Sequence, residues 1–161
     1  MAERGIIAYC DCETGIGKGI YIHSGAPSQL MPLLNEFYPT LNDAEQIVAL
    51  GSLSNLGKTL ESHPAIHTIT GDPLNYLYAK FDHNEIYSYT FAYHRDRKGP
   101  WPENRPHEFI ARDVLDVLTI DWESMYFAEH MYLWAHDEWF HCNLPLIRDT
   151  VRLMRLVGIR N

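Results

Sequence analysis

The sequence has few cysteines and few basic residues. Its 161 residues include three cysteines, and 13 Lys and Arg are outnumbered by 21 Asp and Glu, which gives a formal net charge of −8. An odd, sparse set of cysteines is unlike the dense, even frameworks of small secreted domains, so we expect a reducing cytoplasm and no disulfide scaffold. The acidic balance disfavours nucleic acid as a partner, because such binding draws its affinity from clustered cations that neutralise phosphates.

Long apolar runs are also missing. No run approaches the roughly 20 residues of a membrane span, and residues 1–7 contain no signal-peptide core or cleavage site. We therefore expect no membrane partner and no export. We find no internal repeat or linker, and a length of this order suits a single domain, residues 1–161. The hydrophobic content of 46% predicts a folded monomer or small homo-oligomer rather than a disordered chain.

Both ends of the chain carry the pattern of a β-hairpin. Short β-branched and aromatic runs at 6–11 and 18–23 flank a segment that contains glycine, and 126–135 and 138–142 flank a turn at His136 and Asp137. Apolar residues at helical spacing predict further elements. These are a helix ending at Phe37, a helix capped by Asn42 or Asp43, a short helix starting near Asp113, and a C-terminal helix.

The segment 86–93 alternates aromatic and small or polar residues, and it predicts a strand. Its aromatic face is either buried under a helix or exposed for stacking on a base. Residues 52–82 are predicted to be mainly loop with short helical turns. Hairpins at both ends, without repeated strand-helix-strand units, predict an α+β domain whose mainly antiparallel sheet carries packed helices. The predicted aromatic face consists of Tyr87, Tyr89, Phe91 and Tyr93.

Two short polar segments are candidate binding sites. His23 and Ser24 follow the second strand and precede a helix, where backbone N–H groups attract anions; the alternative is an ordinary capping turn. Residues 94–97 follow the aromatic strand, and their two arginines match the bidentate grip on phosphate or carboxylate; the alternative is a solvated strand end with internal ion pairs. The candidate ligand-binding residues are Tyr21, His23, Ser24, Tyr93, His94, Arg95, Asp96 and Arg97.

The histidines do not predict a metal site. There are nine of them, and His130, His136 and His141 surround the second hairpin. None shows the helical His pair with an intervening Glu that marks a zinc protease, and the two N-terminal cysteines lack a second matching pair. We therefore expect neither a metal nor another cofactor.

Three motifs resemble a set of small, mostly uncharacterised proteins of phages and integrated mobile elements. They are GIYIH at residues 19–23, LGSLSNLG at 50–57 and AYHRDR at 92–97. The resemblance spans about residues 5–97, and the closing hairpin with Trp134 and Trp139 is similar to the aromatic C-terminal part of that set. In the set the first motif usually continues with Trp and Asp, where this chain has Ser24 and Gly25.

The resemblance implies a protein that acts in the cytoplasm of a bacterial host. By analogy with other small acidic phage proteins, we expect it to counter host defence without catalysis. It would either block a defence protein, using exposed aromatics such as Trp101, or sequester a nucleotide second messenger. One alternative is an enzyme acting on a phosphate ester or nucleotide, with His23 or His94 as acid–base and Arg95 and Arg97 stabilising charge. Another is an assembly protein of the virus particle.

Overall fold

The structure, a computed structural model, describes residues 3–11, 13–66 and 73–156. In these ranges the chain forms seven strands and nine helices. The strands are β1 Gly5–Asp11, β2 Ile16–Ile22, β3 Leu53–Asn55, β4 Phe91–Ala92, β5 His107–Ile110, β6 His130–Ala135 and β7 Glu138–Asn143. The helices are α1 Pro27–Phe37, α2 Leu41–Ala49, α3 Pro73–Lys80, α4 His83–Ile86, α5 Tyr93–Arg97, α6 Trp101–Asn104, α7 Val114–Leu118, α8 Trp122–Tyr126 and α9 Leu144–Leu156.

The strands form one sheet in the order β4-β3-β2-β1-β6-β7, with β5 also paired to β2. The pairs β1/β6 and β2/β3 are parallel, and the other four are antiparallel. The α+β class is therefore confirmed, but the sheet is mixed and only mostly antiparallel. The correction has a simple cause: the two hairpins meet through β1 and β6, which run in the same direction, and hairpin signals do not specify how hairpins join.

Both predicted hairpins are present. In the first, β1 and β2 pair along their whole length, from Gly5 opposite Ile22 to Asp11 opposite Ile16. In the second, His136 and Asp137 form the turn with φ of 51° and 62°. Positive φ at both central residues is the geometry of the two-residue turns whose twist matches that of the strands.

Helices cover both faces of the sheet. On one face α1 and α2 pack on a core that includes Ile20 and Ile22, and on the other α7 and α8 pack around Val117 and Trp122. Thr40 caps α2 through a capping box with Asp43, so the expected cap at Asn42 or Asp43 is displaced because Asp43 supplies the other half of the box. The predicted start of α7 at Asp113 is confirmed, since that side chain accepts a hydrogen bond from the N–H of Asp116.

The strand predicted over 86–93 is wrong for most of its length. Its first residue, Ile86, is the last of α4, only Phe91–Ala92 pairs in the sheet, and Tyr93 begins α5. Phe91 is buried, whereas Tyr87 is 44% exposed, so the aromatic residues do not share one face. Asp82 explains part of this outcome, because its side chain caps α4, and the helical turn that starts there continues into Ile86.

The segment 52–82, predicted to be mainly loop with short helical turns, contains a helix of eight residues and a buried strand that was not predicted. The strand is β3 and the helix is α3, and residues 67–72 lie outside the described part of the chain. The short strand β5 and the helix α8 were also not predicted. Among the described residues, no helix combines the length and apolar character that crossing a bilayer requires.

Candidate functional site

One edge of β2 is covered by two different strands with an opening between them. β5 pairs with residues 16–19, whereas β3 pairs at Ile22. Ile20 and Tyr21 lie between these contacts, where the described strands leave the edge uncovered. Side chains from the surrounding helices and loops therefore reach the sheet at this point.

Tyr21 lies at the centre of a group of rings in this opening. Its hydroxyl is 3.0 Å from Nδ1 of His23, two residues further along the same strand face, and its ring stacks on Tyr126 with centroids 6.2 Å apart. Burial raises the pKa of Tyr21, the nearby Tyr93 raises it further, and the positive charge of Arg4 opposes them. The Tyr21 side chain remains partly exposed, so a ligand has access to this group.

Tyr93, whose charge affects the pKa of Tyr21, contacts the positive charge of Arg97. The N–H of Tyr93 donates to the carbonyl of Ser52 at 3.1 Å, which attaches the start of α5 to the residue before β3. Arg97, one helical turn later, holds its guanidinium 5.3 Å from the centroid of the Tyr93 ring. Both side chains are partly exposed. This cation–π pair is therefore available to a ligand.

Arg95 and Asp96 are directed into the fold instead. Arg95 donates from Nη1 to the carbonyl of Leu60 at 2.6 Å and from Nη2 to that of Thr90 at 2.9 Å. Its Nε and Nη2 also donate to the carboxylate of Asp96, each at 3.0 Å. The Asp96 side chain has no exposed surface. These contacts match the internal ion pair that the sequence offered as the alternative to a phosphate grip.

His94 and Ser24 lie at the surface. Nδ1 of His94 donates to the carbonyl of Gly99 at 2.8 Å, and its ring packs against Trp101 with centroids 5.1 Å apart. Ser24 is exposed, and its backbone N–H donates to the carbonyl of Ser54 at 3.1 Å. Of the eight predicted residues, the structure thus pairs Tyr21 with His23 and Tyr93 with Arg97, and the charge of Tyr93 reaches Tyr21.

A polar cleft of about 830 Å³ lies beside this group. Tyr126 lines the cleft and also stacks on Tyr21, so the two are continuous. The charged residues along the cleft carry both signs, and Lys18 is paired with Glu108 at 3.3 Å. They are Lys18, Arg105, Glu45, Glu103 and Glu108.

Sequence reasoning missed Tyr126 and Arg105. Tyr126 was assigned to a strand of the second hairpin, but it lies in α8. Arg105 belongs to the proline-rich segment that joins α6 to β5, and nothing local relates that segment to β2. The one available signal was Trp101, an aromatic residue among prolines, which lines the same cleft.

A second groove, of about 670 Å³, lies between α7, α8 and α9. Arg148 of α9 joins Glu123 of α8 at 2.7 Å across it. Phe127, directly after α8, is 71% exposed and lines the groove together with Ile147 and Val151. An exposed aromatic residue beside a groove with mixed apolar and charged lining is typical of a protein-binding surface.

Comparison with known proteins gives no relative for this chain. No protein-family model matches it, and neither a curated protein nor a solved structure matches it significantly.

Proposed function

We propose that this protein binds a nucleotide at the opening beside β2 and acts by sequestering it, without catalysis. The observation that carries the proposal is that the partly exposed Tyr21 stacks on Tyr126 and lies near enough to Tyr93 and Arg4 for their charges to shift its pKa. The stack of Tyr21 on Tyr126 and the contact of Arg97 with Tyr93 are its best-defined parts. We call this group of Tyr21, His23, Tyr93, Arg97 and Tyr126 the tyrosine site.

The chemistry of the tyrosine site suits a ligand with a planar ring and an anionic group. Tyrosine rings stack on bases of any sequence, and an arginine over a ring extends the stack while offering donors to phosphate. The charge of Arg4 reaches the Tyr21 hydroxyl, as its effect on the pKa of that residue indicates. Positive charge at this point contrasts with the net charge of −8 of the whole chain. Arg4 and Arg97 therefore give an anionic group two cations to approach at this point.

Binding is favoured over acid–base catalysis by the placement of the predicted catalytic groups. The enzyme alternative uses Arg95 to stabilise charge in the transition state, but its guanidinium already donates to two carbonyls and to Asp96. It also uses His23 or His94. His23 contacts Tyr21, whereas His94 packs against Trp101. These contacts support a preformed binding surface more than a reaction centre.

The resemblance to phage and mobile-element proteins suggests the cellular setting in which sequestration would act. A small acidic protein that sequesters a nucleotide signal in the host cytoplasm would counter a defence pathway that depends on that signal. Sequestration requires affinity and copy number, and it requires no turnover.

A calorimetric titration of the full chain with linear and cyclic nucleotides tests the proposal. The same titration uses the matching nucleosides and inorganic phosphate, which separate ring stacking from phosphate contacts. We expect saturable binding of at least one nucleotide. Tyr126→Ala and Arg97→Ala should each weaken it by about tenfold or more, at about 1–3 kcal/mol per stacked base or charged hydrogen bond.

Two control variants replace the same residue types elsewhere. Tyr76→Ala removes a tyrosine that is 45% exposed on α3, and Arg112→Ala removes an exposed arginine. Both should leave the affinity unchanged. If no nucleotide binds, or if the controls weaken binding as much as the site variants, the proposal is wrong. Chromatography of the incubated nucleotide measures whether it is converted to a product. Conversion would support the enzyme alternative in place of the proposal.

The groove beside Phe127 supports a second candidate, which is blocking of a host defence protein. Its exposed aromatic residue beside the apolar side chains of Ile147 and Val151 is a feature that a nucleotide site does not need. Phe127 has φ of 55°, and asparagine adopts such angles readily. Phe127→Asn therefore removes the ring while keeping the backbone. Loss of a co-purifying host protein in this variant, but not in Tyr126→Ala, would favour this candidate.

A further inference from the structure

Two carboxylates and two imidazoles meet at the start of β6. Nε2 of His130 lies 3.0 Å from a carboxylate oxygen of Glu3, and Nδ1 of the same ring lies 2.9 Å from Nε2 of His141. One potential ligand atom from each of Glu3, Glu129 and His130 lies within 4.8 Å of the other two. The His130 side chain is 9% exposed, whereas both glutamates face solvent.

This cluster is separate from the tyrosine site. Tyr21 pairs with Ile6, and Ile6 pairs with Met131. Residues opposite one another share a face of the sheet, and neighbours along a strand point to opposite faces. His130 therefore points to the other side of the sheet from Tyr21.

The backbone holds the three side chains in place. The carbonyl of Glu3 accepts a hydrogen bond from the N–H of Gly25 at 2.6 Å. The carbonyl of Arg4 accepts from the N–H groups of Glu129 and His130, at 2.9 and 3.3 Å. A site whose backbone is fixed in this way loses little backbone entropy when an ion binds, so the entropic cost falls on the two exposed glutamate side chains.

We propose that Glu3, Glu129 and His130 form a binding site for a divalent transition-metal ion of the Zn²⁺ type. One imidazole nitrogen and two carboxylate oxygens are three ligands of the kind that zinc accepts, and water completes a four-coordinate shell. The imidazole makes Mg²⁺ and Ca²⁺ poorer candidates, because those ions prefer oxygen ligands throughout.

His141 fits the role of a supporting residue for this site. A histidine that binds a metal through one ring nitrogen usually donates its other N–H to a nearby acceptor, which fixes the orientation of the ring. With the ion on Nε2 of His130, the Nδ1–H of that ring would donate to Nε2 of His141, which is already at hydrogen-bond distance. The ion would join the segment before β1 to the start of β6 and so stabilise the fold.

A metal titration of the full, tag-free chain tests the site. The protein is stripped with a chelator, dialysed, and titrated with Zn²⁺ by calorimetry and with Co²⁺ by visible absorption. We expect one equivalent to bind, a higher melting temperature, and a Co²⁺ spectrum typical of four or five ligands. Glu3→Gln and Glu129→Gln should each weaken binding by about tenfold or more, and His141→Gln by about 10–100-fold.

The glutamate variants decide the location, because other histidines also bind metals. Both glutamates are exposed, so their conversion to glutamine preserves the fold, which circular dichroism verifies. Glu36→Gln, at an exposed position of α1, is the matched control and should bind Zn²⁺ as the wild type does. The proposal is overturned if no equivalent binds, or if Glu3→Gln and Glu129→Gln both retain wild-type affinity.

Discussion

The carboxylate of Asp96 accepts a hydrogen bond from the backbone N–H of Ala92 at 2.7 Å. The same carboxylate accepts from the hydroxyl of Ser62 at 2.5 Å and from the guanidinium of Arg95. A buried charge is tolerated only when such partners replace the water that it loses. Asp96 thus joins the end of β4, the start of α5 and the segment that precedes α3.

Replacing Asp96 by asparagine should destabilise the protein. The amide would remove the charge that balances Arg95 and would direct N–H groups at donors. We expect the free energy of unfolding to fall by about 2–4 kcal/mol in urea denaturation. Asp137→Asn is the control, because that residue lies in an exposed turn at φ of 62°, and it should change stability by less than about 0.5 kcal/mol. Equal stabilities of the two variants would contradict the role assigned to Asp96.

The polar segment 94–97 shows what the sequence could and could not predict. Its density of charge after an apolar segment correctly drew attention to it. The roles of its members were not predictable, because they depend on partners far away in the chain. Leu60 and Ser62 engage Arg95 and Asp96, and nothing local to the segment specifies either contact.

The same distinction explains the fold. The hairpins were predicted because turn chemistry and side-chain alternation are local properties of a few residues. The parallel pairing of β1 with β6 was not, because it joins segments that lie at opposite ends of the chain. The stack of Tyr21 on Tyr126 follows from that pairing and from the packing of α8, so the sequence could name Tyr21 and Tyr93 of the tyrosine site but not Tyr126.

Arg95 and Arg97 should separate stability from ligand binding. Arg95→Ala removes the balancing charge of the buried Asp96 and the guanidinium donor of two carbonyls, so the free energy of unfolding should fall by about 2–4 kcal/mol. Arg97→Ala loses a surface cation–π contact and should cost under about 1 kcal/mol, while nucleotide affinity falls. Urea denaturation and calorimetry on both variants measure the two effects. A stable Arg95→Ala protein with lost affinity would reverse the assignment of the two arginines.

The pH dependence of stability should involve His141. Burial lowers the pKa of His141 below 6.5, and His130 lowers it further, while Glu3 opposes them. The unfolded chain therefore takes up this proton more readily than the folded chain. The resulting stability is present above about pH 6.5 and is lost as the pH falls towards the lowered pKa.

His141→Gln tests this dependence, since glutamine offers a comparable hydrogen-bonding group and does not titrate. Melting temperatures measured in chelator between pH 7.5 and 5 should fall less steeply for the variant than for the wild type. At pH 7.5 the two proteins should melt at similar temperatures. Parallel curves over the whole range would show that His141 does not contribute to the loss.

Among the described residues, two glycines have positive φ, and replacing Gly51 should reduce stability more than replacing Gly15. Its φ is +77°, and a Cβ there would lie 2.3 Å from the carbonyl oxygen of Asn104 and 3.1 Å from the Trp101 ring. Gly15 has a similar φ of +72°, but its nearest neighbour would be the carbonyl of Ala111 at 3.6 Å, an ordinary contact. The left-handed backbone should lower the free energy of unfolding of each alanine variant by about 1–2 kcal/mol. Only Gly51→Ala adds a clash with the backbone.

The difference between the two alanine variants therefore isolates that clash. We expect Gly51→Ala to unfold at clearly lower urea concentration than Gly15→Ala. Because the added Cβ at residue 51 would press on the Trp101 ring, Gly51→Ala should also change the tryptophan fluorescence of the protein. Gly15→Ala should leave that fluorescence unchanged. Equal losses of stability would mean that the segment 101–106 moves away from residue 51 at little cost. This segment lines the polar cleft, so the cleft could then change its width.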